Sequence, residues 1–164
     1  SPRDIYNFPA SLFVAQFTGN PRTNLVEGSM RRVGGEAAIM PRLNSRVLVP
    51  LSGDPQVEHG RDVVLNVRPE DVILDLFPGP QDLHFSVYAC LDSGAESLVY
   101  LRSADSGQVV LRARSAEHQD LEIGRDVGVR FRRGNLYDAD TQQLLDSFGY
   151  AAIEDRRAAA QVTG

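Results

Sequence analysis

Five arginines in the second half of the chain occur in segments where polar and apolar residues alternate. They are Arg112, Arg114, Arg130, Arg132 and Arg133. Residues two apart on a β-strand share a face, so these guanidinium groups would stand beside one another. A guanidinium forms paired hydrogen bonds with a carboxylate or a phosphate. The pattern is open to two interpretations: a patch that docks an acidic protein or an oxyanion, and a solvated face whose arginines pair with Asp120, Glu122 and Asp126.

The remaining residue types that support catalysis or metal binding are scattered. His59, His84 and His118 lack the spacing of a metal site, and Cys90 is the only cysteine. The chain contains no lysine. A phosphate-binding loop needs a lysine for the β- and γ-phosphates, and Schiff-base chemistry needs a lysine amine. We therefore expect neither catalytic residues nor metal or cofactor ligands in this chain.

The composition narrows the class of protein. The chain has 164 residues, of which 17 are basic and 22 acidic, and its net charge is −5. This length suits one ordinary domain or two small lobes. A net negative charge disfavours nucleic-acid binding, which uses a basic surface. No apolar run approaches the roughly 20 residues of a membrane span, and a single cysteine suits a reducing compartment. We expect a soluble cytoplasmic protein.

The hydrophobic pattern changes from helical to strand-like along the chain. Residues 1–22 begin with serine and proline, which favour a helix start, and carry an apolar stripe over Leu12–Phe17. From about Asn24 the period becomes two, as in half-buried strands. In the segment His84–Leu91 this period predicts that Phe85, Val87, Ala89 and Leu91 face inward. Short strands between frequent polar turns predict an all-β barrel or sandwich with short N-terminal helices.

The chain contains an internal repeat. Gly60-Arg61-Asp62 opens an alternating segment that ends at Arg68, and Gly124-Arg125-Asp126 opens another that ends at Arg132. In both copies a strand precedes the motif, and a polar turn and a further short strand follow it. The repeat units cover about residues 45–76 and 107–138. Repetition of one strand–loop–strand–turn–strand unit predicts two similar small barrels.

Several motifs, read in order, resemble a known family. Residues 2–21, P-R-D-I-Y-N-F-P-A-S-L-F-V-A-Q-F-T-G-N-P, resemble the segment with which the ATPases of sugar importers leave their nucleotide-binding domain. Val67–Asp71 resembles the G-[IV]-R-P-E signature of the region that follows, and Leu136–Thr141 resembles a motif near its end. The chain thus resembles the ABC importer ATP-binding subunits of the maltose (MalK-like) and glycerol-3-phosphate transporters, and above all their C-terminal transport-associated OB-like (TOBE) region.

The resemblance implies a domain plan and a role. Residues 1–22 would be the end of the nucleotide-binding domain and its linker helices, 23–148 a duplicated OB-like TOBE regulatory domain, and 149–164 a C-terminal tail. ATP and Mg²⁺ would bind the nucleotide-binding domain of the parent ATPase, and this part would help to hold two subunits together. The implied partners are a second copy of the subunit, the transmembrane permease subunits and a regulatory protein, on the inner face of the cell membrane, with no nucleic acid.

The signature residues Arg68, Pro69 and Glu70 have two interpretations. They could form ion-paired contacts with the N-terminal helices or a neighbouring ATPase lobe, or they could brace a local turn. The family's glycine before the signature is replaced by Asn66, and its final glycine by Gln142, so the solute is not assigned from these motifs beyond sugars or glycerol-3-phosphate-like compounds. Two other functions stay open: a molybdate-type oxyanion-binding barrel and an OB protein that binds single-stranded nucleic acid.

Overall fold

A computed structural model describes residues 23–104, 107–116 and 120–150. These residues form eleven β-strands, a 3₁₀ turn at Pro69–Asp71, and no α-helix. The strands are β1 (Asn24–Val33), β2 (Glu36–Pro41), β3 (Val49–Pro50), β4 (Asp62–Val67), β5 (Val72–Asp75), β6 (Leu83–Asp92), β7 (Ser97–Arg102), β8 (Val109–Ser115), β9 (Asp126–Phe131), β10 (Gly134–Asp138) and β11 (Leu144–Phe148). The expected all-β fold is confirmed. The predicted helices of residues 1–22 and the tail from residue 151 lie outside the described residues.

The strands form two antiparallel sheets around one core. The first sheet has the order β11-β10-β4-β1-β2-β3 and the second has the order β5-β9-β6-β7-β8. The outer strands β5 and β8 of the second sheet approach each other, so that sheet curls on itself. Most buried apolar side chains of both sheets join in one hydrophobic cluster, which includes Met30, Leu65, Val87, Leu101 and Val127. Val64 and Tyr137 form a small separate cluster. Alternating apolar residues on short strands produce this core, as the sequence pattern predicts.

The two copies of the repeated motif occupy equivalent places in the two sheets. Gly60 and Gly124 adopt the left-handed backbone conformation, with φ of 88° and 90°, which favours glycine. Their N–H groups donate to the carbonyl oxygens of Met30 and Val87, in each case over 2.7 Å. The strand that follows, β4 or β9, then lies inside its sheet with a paired strand on each side. The shared Gly-Arg-Asp sequence therefore builds the same turn twice.

The repeats exchange strands, which the sequence did not predict. Strand β5 follows β4 in the chain but pairs with β9, and β10 follows β9 but pairs with β4. The two crossover connections touch, because the backbone N–H of Arg132 donates to the carbonyl oxygen of Asp71 over 2.8 Å. The two predicted barrels are thus interlocked, and each sheet is completed by a strand from the other repeat.

A buried asparagine joins the first sheet to the edge of the second. The side-chain amide of Asn24 donates to the carbonyl oxygen of Arg112 over 2.8 Å, and its oxygen accepts from the Arg112 N–H over 2.7 Å. Asn24 is 2% exposed. Strand β8 lies at the edge of its sheet, so the N–H and carbonyl oxygen of Arg112 have no neighbouring strand to pair with on that side. The two hydrogen bonds from Asn24 satisfy them.

One prediction of side-chain direction was wrong. Leu91 was expected to face inward with Val87, yet it is 55% exposed. The pairing of β6 with β7 shifts register between Val87 and Ala89. A bulge of this kind adds one residue to a strand and so reverses the faces of all later side chains. Cys90 packs against the core instead.

Candidate interaction surface

The five arginines singled out from the sequence do not form one patch. The Arg112 guanidinium lies over the ring of Tyr100, 5.6 Å from its centroid. Arg114 lies 3.6 Å from a carboxylate oxygen of Glu70 and 3.4 Å from one of Glu96. These two arginines are half-buried on the outer face of β8 and are occupied by neighbours of their own sheet.

Arg133 is held by a buried carboxylate. Its Nε donates to Asp71 over 2.9 Å, and the Asp71 side chain is 4% exposed. The hydrogen bond to Asp71 raises the pKa of the Arg133 guanidinium. The same guanidinium lies over the ring of Tyr150, 5.7 Å from the centroid. Asp71 directly follows the signature Arg68-Pro69-Glu70 but was not predicted as a partner, because local spacing gives no sign of a contact with Arg133.

The signature itself forms a tight turn between the two sheets. The N–H of Asp71 donates to the carbonyl oxygen of Arg68 over 2.9 Å, which closes the 3₁₀ turn. Pro69 is buried and Glu70 reaches Arg114. Among the described residues these contacts brace the crossover from β4 to β5. A contact of this turn with a nucleotide-binding domain stays a prediction.

Arg130 and Arg132 differ from the other three because they face a groove. Both are exposed, and within the described ranges neither guanidinium forms an ion pair or hydrogen bond. The groove has a volume of about 670 Å³ and is lined by residues in and around β2 and β3 and by residues of β5 and β9. Its lining residues are Gly35, Glu36, Ala37, Pro50, Leu51, Ser52, Gly53, Asp54, Ile73, Arg130, Phe131 and Arg132.

A braced loop forms another part of the groove lining. Gly53 and Asp54 both have positive φ, 84° and 48°. The Arg32 guanidinium donates to the Asp54 carboxylate over 2.9 Å and also to the carbonyl oxygen of Pro55. Asp54 is therefore neutralised by Arg32, whereas the exposed Glu36 has no such partner in the part of the chain that the structure describes.

In the motif Leu136–Thr141, Asp138 binds the following turn and Arg61. The Asp138 carboxylate accepts from the N–H groups of Asp140 and Thr141, over 2.8 and 2.7 Å, and from Nε and Nη2 of Arg61, over 3.0 and 2.8 Å. The hydrogen bond from the Thr141 backbone, followed by the Arg61 bond, lowers the pKa of Asp138 to about 2. This ion pair joins the first repeated motif to β10, the strand that the second repeat contributes to the first sheet.

Residues 47–137 match the TOBE domain family. The chain belongs to this family. The family predicted from the sequence motifs is thereby confirmed.

Two curated relatives extend the TOBE match to most of the chain. Over 148 residues it is 40% identical to the sn-glycerol-3-phosphate import ATP-binding protein UgpC of Escherichia coli, covering 88% of this chain and 39% of that protein. Over 152 residues it is 25% identical to the oligosaccharides import ATP-binding protein MsmX of Bacillus subtilis, covering 87% of this chain and 40% of that protein. The chain spans about 40% of the length of these relatives.

A solved structure is also similar. It is the cytoplasmic molybdate-binding protein ModG with molybdate bound, which aligns with 66% of this chain and 89% of its own at 14% identity and a TM-score of 0.48. In the described part of the TOBE chain, no three histidine, cysteine, aspartate or glutamate side chains are grouped as a metal site would require. Nor do the described residues include a helix of the length and hydrophobicity that a membrane crossing demands.

His84 joins the connection between β5 and β6 to the start of β9. Its Nε2 lies 2.6 Å from the carbonyl oxygen of Gly79 and its Nδ1 lies 2.9 Å from the Asp126 carboxylate, so both ring nitrogens face acceptors. The Gly79 hydrogen bond, and then Asp126, raise the pKa of His84, and Asp82 adds a smaller effect in the same direction. When it is protonated, the imidazole can donate to both acceptors and so join the connection between β5 and β6 to β9.

We expect this contact to stabilise the protein below the ordinary histidine pKa of about 6.5 and to be lost as pH rises through the higher folded-state pKa. Urea unfolding would measure how much the free energy of unfolding falls between about pH 6 and about pH 8. We expect this fall to be about 0.5 kcal/mol smaller in His84→Gln than in the parent protein, which is the size expected of a solvent-screened pair. An equal pH dependence in both proteins would contradict this role.

Proposed function

We propose that this chain is the C-terminal regulatory and dimerisation part of the ATP-binding subunit of an ABC importer for sugars or glycerol-3-phosphate-like solutes. The observation that carries the proposal is the TOBE match over residues 47–137. The chain is also 40% identical to a glycerol-3-phosphate import ATP-binding protein, and it covers 39% of that protein's length. The absence of lysine agrees with an ATP site on another part of the parent protein.

The structure suggests how such a part would act. Two sheets that exchange strands and share one core move as a unit, because separating them would expose the buried face of each. A rigid unit of this kind can hold two ATPase subunits at a fixed spacing and can present a surface to a regulatory protein. Its proposed partners are a second copy of the subunit and the permease subunits, on the inner face of the membrane.

The signature turn offers a direct test in the full-length protein. If Arg68 contacts the nucleotide-binding domain or the second subunit, Arg68→Ala should lower the ATPase rate or the fraction of dimer severalfold, without unfolding the sheets. ATP hydrolysis by the permease complex and sedimentation of the isolated subunit would measure these effects. Arg46→Ala, an exposed arginine distant from the signature in sequence, is the control. Unchanged values for Arg68→Ala in both assays would reject the interdomain role.

The alternatives make different predictions. If the groove is not an oxyanion site, titration of the chain with molybdate or sulfate should release no heat. An oligonucleotide at moderate salt should not bind either, because the chain is acidic overall. Saturable heat in either titration would replace the importer proposal with the corresponding binding function.

A further inference from the structure

The two copies of the Gly-Arg-Asp turn use their arginine differently. In the first copy, the Arg61 guanidinium donates to the Glu58 carboxylate over 2.7 Å and to the Asp138 carboxylate over 2.8 Å. The equivalent Arg125 of the second copy is half-buried and forms no ion pair with any carboxylate of the described residues. Its positive charge is therefore available to a carboxylate from outside the chain.

The end of the neighbouring strand explains this difference. Asp138 lies at the end of β10, and the strand register places Leu76 at the corresponding position after β5. Leu76 offers Arg125 only its backbone carbonyl oxygen, which accepts over 3.2 Å. The Arg125 guanidinium also lies over the ring of Phe77, 5.7 Å from the centroid. The second repeat thus places its arginine beside an aromatic ring, whereas the first places it between two carboxylates.

A glutamate in the second turn is also left without an ionic partner. Glu122 precedes Arg125 by three residues, as Glu58 precedes Arg61. The backbone N–H of each arginine donates to the carbonyl oxygen of its glutamate, over 3.1 and 3.3 Å, so the two turns have the same form. The Glu122 side chain is nevertheless exposed and pairs with no cation in the part of the chain that the structure describes. One turn therefore presents a carboxylate and a guanidinium that do not neutralise each other.

Two large apolar side chains are exposed at the same turn. Phe77 is 86% exposed and Ile123 is 75% exposed. The corresponding residues of the first repeat are Ala139, which is small, and His59, whose Nδ1 accepts from the N–H of Arg32 over 3.0 Å. Exposed aromatic and aliphatic side chains beside an arginine are typical of protein–protein contacts. This combination occurs only in the second of the two repeated turns.

The surface formed by Phe77, Glu122, Ile123 and Arg125, which we call the turn patch, is complementary to a second copy of itself. A two-fold axis through it would bring Arg125 of each copy to Glu122 of the other, because a symmetric contact forms every pair twice. The apolar side chains of both copies would then be removed from water together.

We propose that two copies of this chain associate through the turn patch. Phe77 and Ile123 form the apolar centre of the contact, and two reciprocal Arg125–Glu122 ion pairs fix its orientation. The inference rests on the proposed pairing of two ATP-binding subunits, for which it supplies a surface.

Charge reversal gives a direct test in the complete 164-residue chain. Arg125→Glu and Glu122→Arg should each lower the association constant about tenfold, because each variant replaces two attractive pairs with two repulsive ones. An equimolar mixture of the two variants should recover the association of the parent protein, since opposite charges then meet in both pairs. Sedimentation equilibrium up to about 1 mM protein would measure these constants.

The matched control is the exposed pair Glu27 and Arg42 of the first sheet, whose side chains are 2.9 Å apart. Glu27→Arg and Arg42→Glu should each associate as the parent protein does, alone and when mixed. Circular dichroism would confirm that every variant is folded. If Arg125→Glu does not fold, Ile123→Ser replaces it. That substitution should also lower the association constant about tenfold, because each dimer buries two copies of the side chain.

Weaker association of both single variants, with recovery in their mixture and no change in the control, supports the proposal. A parent protein that stays monomeric over the whole concentration range overturns it, as does a mixture that associates no better than its components. Unchanged association of Ile123→Ser also overturns it. Each of these failures leaves the importer assignment standing, because that assignment is tested separately by the coding sequence upstream of Ser1.

Discussion

Arg133→Met is expected to lower the free energy of unfolding by about 3 kcal/mol, because it leaves a buried carboxylate without its cation. Asp71 is 4% exposed at its side chain and its described ionic partner is the Arg133 guanidinium, 2.9 Å away. The pair lies where the two crossover connections meet, so its loss loosens both sheets together. Urea unfolding followed by circular dichroism would measure the change.

The matched control for this prediction is Arg114→Met. Arg114 is an arginine of similar exposure, and its carboxylate partners, Glu70 and Glu96, are 41% and 45% exposed at their side chains. Water can solvate those carboxylates when the arginine is removed, so the expected loss is within about 1 kcal/mol. Equal losses at the two arginines would show that burial of Asp71 does not determine the energetics of the crossover.

Gly134→Ala is expected to destabilise the protein by about 3 kcal/mol. A Cβ at this position would lie 2.5 Å from the carbonyl oxygen of Asn66 and 2.9 Å from the ring of Phe148. Strand β10 therefore fits between β4 and β11 only without a side chain at Gly134, and the backbone oxygen cannot move aside without breaking the pairing of the exchanged strand. Thermal or urea unfolding would measure the loss.

Gly79→Ala is the control for that substitution. Its backbone also avoids the left-handed region, and an added Cβ would meet only the Asp82 carboxylate at 3.6 Å, an ordinary contact. The expected change is within about 0.5 kcal/mol. A Gly134→Ala protein as stable as Gly79→Ala would mean that β10 does not insert into the first sheet as described.

Local patterns in the sequence were sufficient to predict the strands and the repeat. Period-two alternation identified β6, β8 and β9, and the repeated Gly-Arg-Asp motif identified the two equivalent turns, since Gly60 and Gly124 both need positive φ. These features depend on neighbours in the chain, so sequence spacing contains them.

Contacts between distant parts of the chain were beyond such patterns. Nothing in the spacing of the second repeat shows that β10 pairs with β4, and a bulge at Val87–Ala89 reversed the expected direction of Leu91. The arginines look alike in sequence, yet Arg133 meets a buried aspartate while Arg130 and Arg132 face an open groove. Only the tertiary arrangement distinguishes an occupied arginine from one free to bind.

The most direct measurement of the central claim is the coding sequence upstream of Ser1. If this chain is the regulatory part of an importer ATPase, the same reading frame should encode a phosphate-binding loop of the form G-x-x-x-x-G-K-[ST], followed by the signature motif and switch histidine of a nucleotide-binding domain. A reading frame that lacks the phosphate-binding loop would contradict the claim and leave a TOBE domain with a different role.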